Sequence, residues 1–167
     1  MPLGAEINER NFKVLFMDTG LLCRACGLSL MDFEREQDIM LVNAGAVCEQ
    51  FIGQHLLQSG EYFEDPVLHY WRREKRQSAA EVDYVLSVGP NVIPVEVKAG
   101  KTGRLKSLHL FLKEKNRDFG LRFNADVPSL MDAKDALPTG EVVAFRLLSL
   151  PLYMVGQTRR LIRESLS

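Results

Sequence analysis

The chain has 167 residues and a mass of 18.9 kDa, a length that supports one hydrophobic core but not two domains of ordinary size. Apolar residues make up 46% and charged residues 26%, a composition that excludes a disordered, fibrous or membrane protein. The net charge of −1 argues against a protein that coats nucleic acid or membranes, although a local basic face remains compatible with it. We therefore expect a single cytoplasmic domain over residues 1–167, with no membrane contact.

In chain order, the first half predicts one strand and two helices. Residues 12–16 (FKVLF) have the composition of a strand, and Asp18 is a typical N-cap for a helix that ends near Gly27. The longest helix is predicted over residues 38–60, and its apolar residues cover most of the circumference, so it should be largely buried. A carboxylate in the middle of such a helix, Glu49, needs a partner.

The next region predicts a hairpin. An apolar run at 67–71 (VLHYW) is followed by a basic loop at 72–80 (RREKRQSAA). Strand-like segments at 81–88 and 92–98 flank the tripeptide Gly89-Pro90-Asn91, a pattern typical of an antiparallel hairpin.

Beyond the hairpin, residues 105–115 have a helical apolar stripe. Residues 117–140 are punctuated by proline and glycine, with Asp132-Ala133-Lys134 in an irregular stretch and a strand at 120–123 (GLRF). A late strand at 141–150 precedes a helix in which Pro151 takes the first position. This order predicts an α/β fold, a mixed sheet flanked by helices.

Four polar residues stand out on these elements. Strand alternation places Glu96 and Lys98 on one face of their strand, and it places Asp83 across from Glu96 and opposite to its own apolar neighbours Val82 and Tyr84. Opposed carboxylates repel unless a cation lies between them, and oxygen ligands suit Mg²⁺ or Mn²⁺. Glu49 in the buried helix would either bind the metal directly or lie next to its ligands. Lys98 would stabilise the negative charge of a phosphate. The alternative is a solvated strand face.

These motifs resemble known families. Glu49, Asp83 in EVDYVL, and Glu96-Val97-Lys98 in VIPVEVK look like the motif of the PD-(D/E)XK nuclease superfamily. Over residues 12–156 the chain also resembles the uncharacterised domain that follows the ATPase core of many prokaryotic AAA-type ATPases, through the segments KVLFMDTGLL, GAVCEQFI, HYWRR, EVDYVL, IPVEVKAGK, KSLHLF and LPLYMVG. The superfamily resemblance implies a restriction-endonuclease-like mixed central β-sheet flanked by helices. It also implies a catalytic set of Glu49, Asp83, Glu96 and Lys98, in which the three acids bind Mg²⁺ or Mn²⁺.

The sequence contains no G-x-x-x-x-G-K-[ST] loop, so the chain is not an ATPase by itself. We expect either a fragment of a longer ATPase-linked protein or a stand-alone relative. The leading hypothesis is metal-dependent hydrolysis of phosphodiester bonds in a nucleic acid, with DNA as the expected substrate. The alternative is a non-catalytic nuclease-like module that binds nucleic acid or a protein partner and is attached to an AAA ATPase in cis or in trans.

Basic residues near the hairpin are candidates for contacts with phosphates: Arg72, Arg73, Lys75, Arg76, Lys101 and Arg104. Trp71 or Tyr70 beside them would stack on a base, whereas the alternative for the basic run is a solvated loop. Cys23 and Cys26 have C-x-x-C spacing, but the chain lacks further ligands at zinc-site spacing, so we expect free thiols.

Overall fold

A six-stranded sheet forms the centre of the structure, with helices on both faces. The computed structural model describes residues 3–28, 37–60, 63, 65–75, 78–101, 103–136 and 140–167. The strands are β1 (His69–Lys75), β2 (Ser78–Val88), β3 (Asn91–Val97), β4 (Phe119–Asn124), β5 (Ser129–Ala136) and β6 (Val142–Pro151). The helices are α1 (Thr19–Ala25), α2 (Gln37–Leu57), α3 (Lys106–Glu114) and α4 (Thr158–Leu166), with 3-10 helices at Leu3–Glu6 and Leu152–Gln157.

The sheet is mixed, and its strand order is β1-β2-β3-β4-β6-β5. The pairs β1/β2, β2/β3 and β5/β6 are antiparallel, whereas β3/β4 and β4/β6 are parallel. Parallel neighbours need a crossover connection, and helix α3 supplies it between β3 and β4. The predicted α/β class, a mixed sheet flanked by helices, is confirmed.

Each face of the sheet is covered by its own apolar layer. On one face, Ile52 of α2 and Ile162 of α4 pack with the inner residues of β2, β3 and β4. On the other face, Leu108 and Leu112 of α3 pack against β6, and Phe111 packs against β2. These three α3 residues follow the spacing of one helical face, so the predicted stripe forms the contact. Within the described residues, no helix has both the length and the hydrophobicity needed to cross a bilayer.

Several predicted elements are confirmed. The Asp18 side chain caps α1 by accepting the Leu21 N–H at 2.9 Å. The hairpin of β2 and β3, helix α3, strand β4 and strand β6 form close to their predicted positions.

Other predictions were wrong. Residues 72–75 of the basic run do not form a loop but continue β1, where Arg72 lies opposite Glu81 of β2. Residues 78–80 begin β2, and residues 76 and 77 lie outside the described part of the chain. Residues 132–134 belong to the edge strand β5, which pairs with β6 throughout. Pro151 ends β6 and precedes a 3-10 helix, so the last α-helix begins only at Thr158.

The prediction of a strand at residues 12–16 was also wrong. This segment lies outside the sheet, and Phe12 and Val14 are 78% and 67% exposed. The segment bonds to the side chain of Gln50 on α2 and not to a neighbouring strand. The amide oxygen of Gln50 accepts the Phe16 N–H at 3.0 Å, and the amide nitrogen of Gln50 donates to the Phe16 carbonyl at 2.8 Å.

Helix α2 is less buried than predicted. Over residues 44–57, the buried positions are Gln50, Ile52, Gly53 and Leu56, and the opposite side of the helix is partly or fully exposed. The helix therefore packs on the sheet through one face.

Candidate active site

A β-bulge in β2 shapes the candidate site. The register between β1 and β2 shifts between His69 and Trp71, so Asp83 and Tyr84 together lie opposite a single residue of β1. The bulge interrupts strand alternation: Val82 packs in the cluster on the α3 side, whereas Tyr84 packs in the cluster on the α2 side. The prediction that Val82 and Tyr84 share one face, with Asp83 on the other, was therefore wrong.

The Asp83 carboxylate bonds to the neighbouring strand. The described pairing of β2 with β3 ends at Tyr84 and Val95, and two residues further along β3 the Val97 N–H donates to Asp83 Oδ2 at 2.7 Å. Burial, reinforced by the charge of Glu96 and opposed by the Val97 N–H, raises the pKa of Asp83 to about 7. The Asp83 carboxyl group therefore titrates near neutral pH.

Glu96 and Lys98 form a pair next to this position. Glu96 is 5% exposed, and its Oε1 accepts a hydrogen bond from Lys98 Nζ at 2.6 Å, which confirms that the two side chains share a face. Burial raises the pKa of Glu96, and Lys98 opposes the shift. The second oxygen, Oε2, is buried without a hydrogen-bond partner among the described residues. A buried carboxylate oxygen in this state is stabilised by a proton or by a cation.

Glu49 has the partner that its position in α2 requires. Its Oε1 lies 2.5 Å from Nζ of Lys13, and the same ammonium lies 3.0 Å from Glu81 Oε1 and 3.3 Å from the Asp83 carbonyl oxygen. Burial lowers the pKa of Lys13, but the ion pairs with the two glutamates outweigh burial, so the net pKa is raised. The sequence analysis missed Lys13, although the single charge in the apolar run 12–16 was a signal.

Close packing between α2 and β2 brings Glu49 to the bulge. Tyr84 Oη donates a hydrogen bond to the Glu49 carbonyl oxygen at 2.8 Å. One helical turn later, a Cβ atom at Gly53 would lie 2.3 Å from the same hydroxyl, so only glycine fits there. Lys13 Nζ lies 5.2 Å from the centre of the Tyr84 ring, a distance at which the ring face attracts a cation.

The three acids do not form one ready ligand set. Among the described residues, no three His, Cys, Asp or Glu side chains group around a position that could hold a metal ion. The charge of Glu49 contributes to the raised pKa values of Asp83 and Glu96, but Glu49 itself binds Lys13. A cation therefore fits best at Asp83 and Glu96, where it would offset the repulsion and bind the unpartnered Glu96 oxygen.

The basic residues of β1 differ in exposure. Arg72 is exposed. Arg73 is partly buried, and its Nε lies 3.1 Å from Glu114 Oε1 of helix α3. Lys75 ends β1, and Arg76 lies outside the described residues. Of this run, Arg72 is the best candidate for a phosphate contact.

Two further basic candidates, Lys101 and Arg104, lie exposed in the connection between β3 and α3. This connection also contains Gly103, where a Cβ atom would lie 2.8 Å from Cδ of Lys98. The glycine therefore leaves space for the aliphatic part of Lys98. Cys23 and Cys26 are free thiols, as expected.

A cavity of about 660 Å³ lies beside Glu49, Glu81, Asp83 and Glu96, which together are called the acidic cluster. Its walls include the aromatic residues Tyr70 and Trp71 and the exposed Arg72. Lys13 and Tyr84 also line it. Both side chains contact Glu49, so the cavity borders the acidic cluster. Aromatic rings beside a cationic rim are typical of a surface that binds bases and phosphates.

Comparison with known proteins places the chain in a family. No curated protein and no solved structure gives a significant match. Residues 44–148 match DUF4143, described as a domain of unknown function. This segment covers more than half of the chain and includes Glu49, Asp83, Glu96 and Lys98, but it begins after Lys13. The chain thus belongs to the DUF4143 family, whose domain is typically found with AAA ATPases.

Proposed function

We propose that this domain hydrolyses phosphodiester bonds of a nucleic acid in a metal-dependent reaction. One observation carries the proposal: Asp83 and Glu96 are two neighbouring carboxyl groups with raised pKa values, and no residue in the described part of the chain bonds to the buried Glu96 Oε2. Such groups favour a cation between them, and their oxygen atoms suit Mg²⁺ or Mn²⁺. The mixed sheet and the four polar positions support the resemblance to PD-(D/E)XK nucleases.

The residues divide the chemistry between them. Asp83 and Glu96 would hold the metal, which acts as a Lewis acid and lowers the pKa of a bound water. Lys98 has 28% of its side chain exposed, so its ammonium is accessible to a substrate phosphate. A positive charge fixed there stabilises the negative charge that develops on the phosphate in the transition state.

The substrate that we propose is DNA. Arg72, Lys101 and Arg104 are exposed cations that would contact backbone phosphates. Tyr70 and Trp71 line the cavity beside them and would stack on an unpaired base. The family association makes an AAA ATPase, in cis or in trans, the partner that we propose for this domain in the cytoplasm.

A non-catalytic module is the second candidate. The ion pair of Lys13 with Glu49 favours it, because part of the acidic cluster is neutralised by the protein's own lysine. In this case the polar residues stabilise the fold and a nucleic acid or protein partner binds elsewhere on the surface.

Titration of the purified protein with Mn²⁺ in a calorimeter separates the two candidates. We expect binding in the wild-type protein, its loss in Asp83→Asn, and no change in Asp126→Asn, which replaces an exposed acid after β4. Mn²⁺-dependent cleavage of DNA should then be retained in the control and lost in Lys98→Ala. No metal binding at millimolar Mn²⁺ would refute the nuclease proposal and support the module.

A further inference from the structure

Lys13 binds Glu49, the acid that would be the third ligand of a metal held by Asp83 and Glu96. Its ammonium contacts oxygen atoms of Glu49, Glu81 and Asp83 at 2.5, 3.0 and 3.3 Å, contributed by helix α2 and strand β2. Carboxylate and carbonyl oxygens are also the ligands of small divalent cations. An ammonium group and a divalent metal therefore compete for Glu49.

The segment that contains Lys13 is attached mainly by its second half, where Leu15 packs against the core cluster on the α2 side. It lies outside the sheet, and its neighbours Phe12 and Val14 are mostly exposed. The two hydrogen bonds between Gln50 and the backbone of Phe16 tie it to α2. Lys98, in contrast, directly follows β3, and its own N–H bonds to the Phe123 carbonyl of β4 at 2.8 Å. Lys13 is thus the cation whose departure breaks no hydrogen bond between strands.

We propose that Lys13 is an exchangeable internal cation that inhibits the site. In its bound position it occupies Glu49, and a divalent metal acquires Glu49 as a third ligand only when residues 12–16 move away from α2. This inference rests on the proposed function, because it assumes that a metal binds at Asp83 and Glu96. It assigns to the amino-terminal segment a role in controlling metal affinity.

Mn²⁺ affinity of Lys13→Met tests the competition. Methionine keeps the length and apolar character of the side chain but removes its charge. We expect Mn²⁺ to bind at least about 10-fold more tightly, because a unit positive charge a few ångströms from the metal ligands is removed. Lys106→Met is the matched control, since Lys106 is exposed on α3, and it should bind Mn²⁺ as the wild-type protein does.

Hydrogen exchange of the wild-type protein gives a second readout that requires no variant. If Mn²⁺ displaces Lys13, the Phe16 N–H loses its bond to Gln50, and its exchange should accelerate on addition of the metal. This measurement decides the question even if Lys13→Met does not fold.

The outcomes separate this inference from the proposed function. Equal Mn²⁺ affinity in the wild-type protein and Lys13→Met, together with unchanged exchange at Phe16, would overturn the role of Lys13 and leave the metal site at Asp83 and Glu96 intact. Absence of Mn²⁺ binding in both proteins would overturn the proposed function and this inference with it.

Discussion

Replacement of Asp83 by asparagine should stabilise the metal-free protein at alkaline pH and change its stability little at acid pH. The pKa of Asp83 rises from 3.8 to about 7 on folding, so between these values the folded protein holds a proton that the unfolded chain has released. The contribution of Asp83 to the free energy of unfolding therefore decreases as the pH rises from about 4 to about 7, and this contribution is constant above that range.

The expected stabilisation by Asp83→Asn at alkaline pH follows from the shift in the pKa of Asp83. A shift of about 3 pH units corresponds to about 4 kcal/mol in the free energy of unfolding, at 1.36 kcal/mol per unit. Because solvent reaches Asp83 in part and screens its charge, we expect about 1 to 3 kcal/mol. Asparagine removes the charge, and its side-chain oxygen can still accept the Val97 N–H.

Urea unfolding in the presence of a chelator at pH 4 and pH 8 measures this difference. Asp126→Asn, on an exposed loop, is the control and should behave like the wild-type protein at both pH values. The reasoning is refuted if Asp83→Asn has the same effect on the free energy of unfolding at both pH values, or if it is destabilised more at pH 8.

Three further substitutions test other parts of the site. Lys98→Ala removes the cation beside the buried Glu96, so at pH 8 it should lower the free energy of unfolding in urea by about 1 to 3 kcal/mol. This decrease should be smaller in a Glu96→Gln background, and an equal decrease would show that the two side chains are not coupled. Gly53→Ala places a Cβ atom 2.3 Å from Tyr84 Oη and should cost about 1 to 3 kcal/mol, with a lower Tm in calorimetry; an unchanged Tm would contradict this packing. Arg72→Glu should weaken DNA binding in fluorescence anisotropy and reduce the magnitude of the negative slope of log K against log salt by about 1 or more. An unchanged slope would remove this residue from the interface.

The sequence predicted those parts of the fold in which local pattern and burial agree. Strands β2, β3 and β6 have β-branched and apolar runs whose inner residues are buried, and the turn at 89–91 fixes the hairpin. Strand β5 was missed because it is an exposed edge strand with residues such as Asp132 and Lys134. Such residues are rare in strands. The strand is therefore recognised from its pairing with β6 and not from its sequence.

The candidate site was predicted in part, because its geometry depends on contacts distant in sequence. The shared face of Glu96 and of Lys98, the residue directly after β3, follows from strand alternation, and the structure confirms it. The bulge at Asp83 depends on the register with β1, which no pattern within β2 specifies. The contact of Lys13 with Glu49 joins residues 36 positions apart, so neither local periodicity nor a short motif indicates it.

The charge balance of the site explains why one arrangement suits both proposed functions. Lys13 neutralises Glu49, and Lys98 neutralises Glu96 through one oxygen. The Asp83 carboxylate instead accepts the Val97 N–H, and its pKa of about 7 means that in the metal-free protein a proton partly neutralises this group near neutral pH. A divalent metal would replace that proton and, once Lys13 leaves, bind Glu49 as well. The number of positive charges that the protein itself supplies therefore decides whether this cluster acts as a metal-dependent catalyst or as a stable polar core.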